Sequence, residues 1–262
     1  GLKQLGVDFS IENGFVTGVV TKELTGSVIN LPFPSVGATE NIIMASTLAK
    51  GVTVINNAAR EPEIKDLSDC LNKMGAKIIG AGSKKIIIRG VQILKSAEHK
   101  VLSDRIVAGT YCIAAIMLNN KFRINNIDPI LIKNPLDILT KMGANIKIKD
   151  GYIVASAKKG LKGAFIKFPK ISVGATENII IASCFAKGKS KLRNCALEPE
   201  VKDLINFLKK LGCQINQIGK RSINVIGIKE LKSASHRVIF DRIEAGTYII
   251  AAALTNGNLI IK

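Results

Sequence analysis

The feature that most constrains the fold of this 262-residue chain is an internal duplication. Residues 35–43, Ser-Val-Gly-Ala-Thr-Glu-Asn-Ile-Ile, return unchanged as residues 172–180, an offset of 137. At the same offset, 61–63, 65–67 and 104–106 match 198–200, 202–204 and 241–243. Self-similarity at a fixed offset is typical of folds that repeat a supersecondary unit. We therefore expect a first copy at 1–137 and a second copy at 138–262, truncated at its C-terminus.

Each copy of the repeated string predicts the start of a helix. Ser35 and Ser172 are suitable N-caps, and apolar residues follow them at helical spacing. The first N–H groups of a helix have no partner within it, and the helix dipole adds partial positive charge there. Such a start can hold a phosphate group, although the spacing alone fits an ordinary capped helix equally well.

The pattern of strands and helices predicts a βαβαββ unit over residues 27–90. We expect strands at 27–30, 52–56, 76–79 and 85–89, with helices at 36–49 and from Glu61-Pro62 to about 74. Further units are expected at 99–155 and 165–226, with a partial unit at 236–262 and a hairpin at 7–20. The helices are so apolar that they should pack inside, with the sheets facing outward.

Within the 99–155 unit, the sequence predicts a helix that starts at Asp104, a strand at 122–125 and a helix at about 128–142. A hairpin should turn at Asp150-Gly151. His99 and His236 have no carboxylate or nucleophile at a diagnostic spacing, so both are expected at the surface.

Composition excludes several classes of protein. The net charge is +18, but the lysines are scattered, and three tyrosines without tryptophan offer little base stacking, so a nucleic-acid function is not expected. No apolar run is long enough to span a membrane. The five cysteines, Cys70, Cys112, Cys184, Cys195 and Cys213, show no metal-binding spacing and indicate reduced thiols in a cytoplasm.

Several strings together resemble the central part of the UDP-N-acetylglucosamine enolpyruvyl transferase (1-carboxyvinyltransferase) family. They are residues 31–41, 57–64, 71–76 and 104–110, and in the second copy 170–174, 197–201 and 241–247. The resemblance covers essentially the whole chain and places the same family segment twice. It implies an α/β fold of repeated βαβαββ units, the inside-out α/β barrel (prism) of the enolpyruvyl transferases.

The resemblance also implies an activity and its substrates. The family transfers the enolpyruvyl group of phosphoenolpyruvate to the 3-hydroxyl of UDP-N-acetylglucosamine, a cytoplasmic step of peptidoglycan precursor synthesis. We expect no cofactor, no metal, no nucleic-acid or membrane partner, and a monomer. The alternatives are the shikimate-pathway enolpyruvyl transferase, a non-catalytic nucleotide-sugar binding module and a basic nucleic-acid binder.

Finally, the resemblance implies which residues bind and which are missing. The family segment matching Lys170, Ile171, Ser172, Val173 and Gly174 contacts the nucleotide end of the substrate. The first copy keeps Ser35, Val36 and Gly37 but has Phe33-Pro34 in place of Lys170-Ile171.

The catalytic groups of the family have no counterpart in this sequence. The resemblance implies that they come from an N-terminal Lys-Asn pair, a mobile loop with a cysteine or aspartate, a following Arg-Pro-x-Asp-Leu segment and a later Pro-Thr-Asp motif, and no segment at a matching position supplies any of the four here. No catalytic residue is assigned, and we expect the chain alone to be inactive.

Overall fold

The computed structural model describes residues 1–12, 15–118, 123–149, 152–254 and 259–261. The chain divides into two compact units. Unit 1 consists of Gly1–Leu102 together with Phe240–Lys262, and unit 2 consists of Ser103–Ile239. The boundaries of these units differ from those of the sequence copies, so each unit contains residues from both copies.

Unit 1 contains a hairpin, a four-stranded sheet and three helices. The hairpin is β1 (Val7–Glu12) with β2 (Phe15–Val20). The sheet has the order β3-β4-β6-β5, where β3 is Val28–Asn30, β4 Val52–Asn56, β5 Lys77–Ile79 and β6 Lys85–Arg89. The helices are α1 (Val36–Ser46), α2 (Pro62–Lys73) and α7 (Arg242–Leu254). Only β3 and β4 are parallel in this sheet; β4–β6 and β5–β6 are antiparallel.

Unit 2 repeats this sheet and has four α-helices among its described residues. Its helices are α3 (Arg105–Met117), α4 (Lys133–Lys141), α5 (Val173–Cys184) and α6 (Pro199–Lys210). A hairpin joins β7 (Asn145–Lys149) to β8 (Tyr152–Ser156). The sheet has the order β11-β12-β10-β9, where β9 is Phe165–Lys167, β10 Lys189–Arg193, β11 Gln214–Gln217 and β12 Ser222–Ile226.

The predicted βαβαββ units at 27–90 and 165–226 and the hairpin at 7–20 are confirmed. The helix expected at 128–142 is a short 3-10 turn, Pro129–Ile132, followed by α4. The strand predicted at 122–125 is wrong for residues 123–125, while Phe122 lies outside the described residues, as does the turn at Asp150-Gly151. Residues 91–104 form no strand either, so the 123–125 segment lacks the parallel neighbour that β3 gives to β4.

The core lies between the sheets and the helices, as the apolar helices predict. In unit 1 the inward-facing residues Ile29, Ile55 and Ile86 are buried against Ile43 of α1. Residues on the other face, such as Val28, remain exposed. The strands described form two open four-stranded sheets and two hairpins. Within each unit, one face of the four-stranded sheet packs against helices.

Candidate functional site

The starts of α1 and α5 have the capped geometry that the sequence predicts. The Ser172 Oγ accepts a hydrogen bond from the Ala175 N–H at 3.3 Å, and the Ser35 Oγ accepts one from the Ala38 N–H at 3.4 Å. A helix leaves its first N–H groups without internal partners, which places the N–H groups of residues 173 and 174 at a positively polarised end. Each helix start can therefore receive an anion.

A buried threonine fixes each helix start to a neighbouring loop. The Thr176 hydroxyl donates to the Ser172 carbonyl oxygen at 2.7 Å and accepts from the Ala196 N–H at 3.0 Å. In the first copy, Thr39 makes the same two bonds to Ser35 and Ala59, at the same distances. Both threonines are fully buried. The sequence prediction missed this role, although a threonine four residues after each capping serine is a usable signal.

An asparagine holds the segment that leads into each helix. Asn57 and Asn194 follow β4 and β10 in the left-handed conformation, with φ of 57° and 60°. Their Nδ2 groups donate to the carbonyl oxygens of Leu31 and Phe168, each at 2.9 Å. Asparagine tolerates this backbone conformation better than most residues, so it can both turn the chain and support the approach to the helix.

Each helix start lies beside the first turn of a helix from the other sequence copy. A Cβ on Gly174 would lie 3.6 Å from Cγ2 of Ile106 in α3, and a Cβ on Gly37 would lie 3.8 Å from Cγ2 of Ile243 in α7. The two predicted site segments, 35–37 and 170–174, therefore lie in different units. Each is completed by a neighbour from the opposite copy.

The neighbouring helices carry the caps that the sequence predicts. The Asp104 Oδ1 accepts from the Ile106 and Val107 N–H groups at 2.8 and 2.9 Å. Asp241 caps α7 in the same way. A capping carboxylate satisfies donors at the start of α3 and of α7, which leaves the starts of α1 and α5 as the sites capped by a neutral hydroxyl.

Three glutamates of unit 2 lie close together behind the α5 start. Burial raises the pKa of Glu177, and the negative charges of Glu200 and Glu198 raise it further. In unit 1, burial and the charge of Glu63 raise the pKa of Glu40. Glu63 and Glu200 do lie in the first turns of proline-started helices, as predicted. The structure adds that they repel a carboxylate of the preceding helix.

The prediction that His99 and His236 are surface residues is wrong. The Nε2 of His99 lies 3.0 Å from Oδ1 of Asp66, and that of His236 lies 3.0 Å from Oδ1 of Asp203. The two imidazoles are only 11% and 9% exposed. The chain after each sheet folds back over α2 or α6, which buries the ring. The sequence does contain a signal for this contact, because the histidine and the aspartate both occur at the same positions of the two copies.

The five cysteines are free thiols, and all but Cys70 are buried. Burial raises the pKa of Cys112 and of Cys195 to about 11, which keeps both in the unreactive thiol form. Within the described residues, no group of His, Cys, Asp and Glu side chains is arranged to hold a metal ion. In the same part of the chain, no helix is long and apolar enough to cross a membrane.

Comparisons with known sequences place this chain in a family. The family model for EPSP synthase (3-phosphoshikimate 1-carboxyvinyltransferase) matches residues 1–133 and 132–262. The UDP-N-acetylglucosamine 1-carboxyvinyltransferase of Pelagibacter ubique is 43% identical over 227 residues, which are 84% of this chain and 54% of that protein. The enzyme of the same name from Buchnera aphidicola is 36% identical over 268 residues, covering 100% of this chain and 63% of that protein. The chain thus spans less than two thirds of the length of these relatives.

Solved structures agree on the fold. The enolpyruvyl transferase NikO from Streptomyces tendae superimposes with a TM-score of 0.69 at 19% identity, covering 97% of this chain and 63% of that one. An EPSP synthase from Acinetobacter baumannii gives a TM-score of 0.56 at 20% identity, covering 96% and 62%. The resemblance predicted from the repeated motifs is confirmed, and the chain belongs to the EPSP synthase (3-phosphoshikimate 1-carboxyvinyltransferase) family.

Proposed function

We propose that this chain belongs to an enzyme that transfers the enolpyruvyl group of phosphoenolpyruvate to the 3-hydroxyl of UDP-N-acetylglucosamine. The names of its relatives support this reaction, which would serve peptidoglycan precursor synthesis in the cytoplasm. The chain's own part is to bind the sugar nucleotide as a monomer, without a cofactor or metal. Turnover needs catalytic segments that are absent from this sequence.

The start of α5 is the observation that carries the proposal. Residues 172–174 are partly accessible. The Ser172 carbonyl oxygen accepts a hydrogen bond from the Thr176 hydroxyl, which itself accepts one from the Ala196 N–H. A rigid helix start pays little conformational entropy on binding an anion. The diphosphate of the substrate would meet the N–H groups of Val173 and Gly174, with the exposed Lys170 adding positive charge.

The start of α1 would provide a second and weaker site. Residues 35–37 have the same backbone frame, but Phe33 and Pro34 replace the lysine and isoleucine that precede the α5 start. Arg60, in the loop held by Thr39, is a leucine in the second copy and supplies a cation only here. We expect Lys170 to matter more, because it lies only two residues before the capping Ser172.

Titration calorimetry with UDP-N-acetylglucosamine tests the binding proposal. Lys170→Ala should weaken binding about tenfold, as expected for one lost charge-assisted contact. Gly174→Ala should weaken it as well, because a methyl group would obstruct the diphosphate. The fold tolerates that change, since the new Cβ would make only ordinary contact with Ile106 at 3.6 Å. Gly37→Ala is the matched control and should affect only the weaker site.

Two results would contradict this assignment. One is unchanged affinity in both Lys170→Ala and Gly174→Ala; the other is preferential binding of shikimate 3-phosphate. The second outcome would favour the shikimate-pathway reaction, to which the family model's description points. Enolpyruvyl transfer by the purified chain would contradict the expectation that it is inactive alone. If the chain bound the sugar nucleotide but no turnover were found even when the missing catalytic segments were supplied, a non-catalytic binding module would be favoured.

A further inference from the structure

The outward face of the unit 1 sheet carries four aliphatic residues in register across all four strands. Val28 lies opposite Val54, Val54 opposite Ile87, and Ile87 opposite Ile79. Val28 is 56% exposed and Ile79 is 65% exposed, while Val54 and Ile87 are half-buried. We call these four residues the apolar row. Adjacent strands lie about 4.8 Å apart, so the row extends about 14 Å across the sheet.

The sheet of unit 2 is an internal control for this row. It has the same strand order and register, and the corresponding residues are Phe165, Lys191, Asn224 and Asn216. Three of these four are polar, yet the sheet forms in the same way. The fold therefore does not require aliphatic residues at these positions, and the apolar row needs another explanation.

Cations flank the β5–β6 end of the apolar row. Lys77, Lys85 and Arg89 occupy outward-facing positions of the same sheet and are exposed. The outward positions of strands β3 to β6 include no aspartate or glutamate. A shallow pocket of about 190 Å³ lies at one end of the row, with room for a large side chain. It is lined by Asn72, Lys77, Ile78, Ile79, Ile87 and Arg89.

We propose that the apolar row is a docking site for an acidic amphipathic helix of a partner protein. Apolar residues at positions i, i+3, i+7 and i+10 of a helix span about 15 Å along its axis, close to the length of the row. Acidic residues beside that stripe would face Lys77, Lys85 and Arg89, so the charges are complementary. This surface lies on the outer sheet and is independent of the helix starts in the proposed function.

Other occupants fit the face less well. A second copy of the chain would bring the same three cations together, in a protein whose net charge is already +18. A lipid surface would gain little apolar contact, because the other outward positions of strands β3 to β6 add only Val52, which is 42% exposed, to the apolar row. Next to it lie the polar side chains of Asn30 and Asn56, which bond to each other at 2.8 Å. The outward positions also include no tryptophan or tyrosine, the residues that favour a membrane interface.

An exchange of residues between the two sheets tests the proposal. Val54→Lys combined with Ile87→Asn gives the unit 1 sheet the residues that unit 2 already accommodates. The reciprocal pair, Lys191→Val with Asn224→Ile, gives unit 2 the aliphatic residues of unit 1. The probe is a synthetic peptide of about 18 residues, long enough to form a helix, with leucines at helical spacing between glutamates. A scrambled peptide of the same composition controls for charge, and anisotropy measures binding to the full chain.

We expect the patterned peptide to bind the native chain about tenfold more tightly than the scrambled one. Val54→Lys/Ile87→Asn should lose this preference even though it adds a positive charge. The reciprocal pair should gain no second site, because position 224 is only 9% exposed and Asn216 stays polar. Circular dichroism confirms that each variant is folded. Equal binding of both peptides, binding of neither, or an unchanged preference in Val54→Lys/Ile87→Asn overturns the proposal. Binding to phosphatidylglycerol vesicles is measured in parallel. If Val54→Lys/Ile87→Asn lost vesicle binding but not peptide binding, the face would instead be assigned to lipid.

Discussion

The starts of α1 and α5 have the same hydrogen bonds but different surroundings. The cap bonds of Ser35 and Ser172 differ in length by only 0.1 Å, at 3.4 and 3.3 Å, and the bonds of Thr39 and Thr176 have equal lengths. The backbone frame of the site has therefore been copied without change. Any difference between the two sites must come from the residues around that frame.

Those residues differ mainly in charge. Lys170 precedes the cap of α5, whereas the exposed Phe33 occupies the equivalent place before α1. The helix beside the α1 start carries Glu244 in its first turn, where the helix beside α5 has Val107. The α1 start thus lacks the lysine that precedes α5, and the first turn of its neighbouring helix carries an additional acid. The two copies therefore share the geometry of the helix start and differ in the charges around it.

The strongest test of the copied frame is removal of the buried hydroxyls. Thr39→Val and Thr176→Val keep the side-chain shape but leave the Ala59 or Ala196 N–H buried without its acceptor. Each should lower the free energy of unfolding by about 1–3 kcal/mol, and by nearly equal amounts. Urea unfolding measures the loss, and hydrogen exchange at the two alanines localises it. Thr→Ser at each position is the control that keeps the hydroxyl. Unequal losses would show that the two frames are not energetically equivalent.

A second test concerns the edges of the two sheets, which differ. Asn72 uses its side-chain amide to bond both the N–H and the carbonyl oxygen of Ile78, at 2.9 and 3.0 Å, on edge strand β5. Lys209 occupies the equivalent position beside β11. Asn72→Ala should cost about 1–2 kcal/mol because two bonds to the backbone are lost. Lys209→Ala should change stability by less than about 0.5 kcal/mol. Thermal unfolding compares the stabilities of the two variants. Similar losses would mean that the hydrogen bonds of the Asn72 amide do not stabilise edge strand β5.

The smallest expected effect involves the glutamates behind each helix start. Their folded-state pKa values are raised, so the folded protein holds these protons to higher pH than the unfolded chain does. Stability is therefore lost as the pH rises above the ordinary glutamate pKa of about 4.3. Glu177→Gln removes this loss and should stabilise the chain at pH 7 by less than about 1 kcal/mol. Glu40→Gln should do less, because one acid faces Glu40 and two face Glu177.

Unfolding in urea at pH 4 and pH 7 checks this prediction. The advantage of each glutamine variant should shrink towards pH 4, where the native carboxyls are protonated in both states. A stabilisation that is the same at both pH values would mean that repulsion among these acids is not its cause.

Much of the local structure could be predicted because its causes are local. The capping serines, the proline that starts α2 and the spacing of apolar residues all act within a few positions, and they located the units at 27–90 and 165–226. The strand expected at 122–125 is absent from residues 123–125, because a strand also needs a neighbour that short-range patterns do not supply. The same limitation hid the histidine–aspartate pairs, whose members are far apart in the chain.

The sequence by itself determined the duplication, the capped helix starts and the βαβαββ units, because repeated short-range preferences give repeated local structure. Only the tertiary structure decided that each helix start meets a helix from the other copy, through Gly37 with Ile243 and Gly174 with Ile106. The tertiary structure also decided the strand register that aligns the outward-facing residues of each sheet in a row across its four strands. Such contacts depend on how distant segments pack to bury their apolar faces, and two copies with nearly the same local signals leave that choice open.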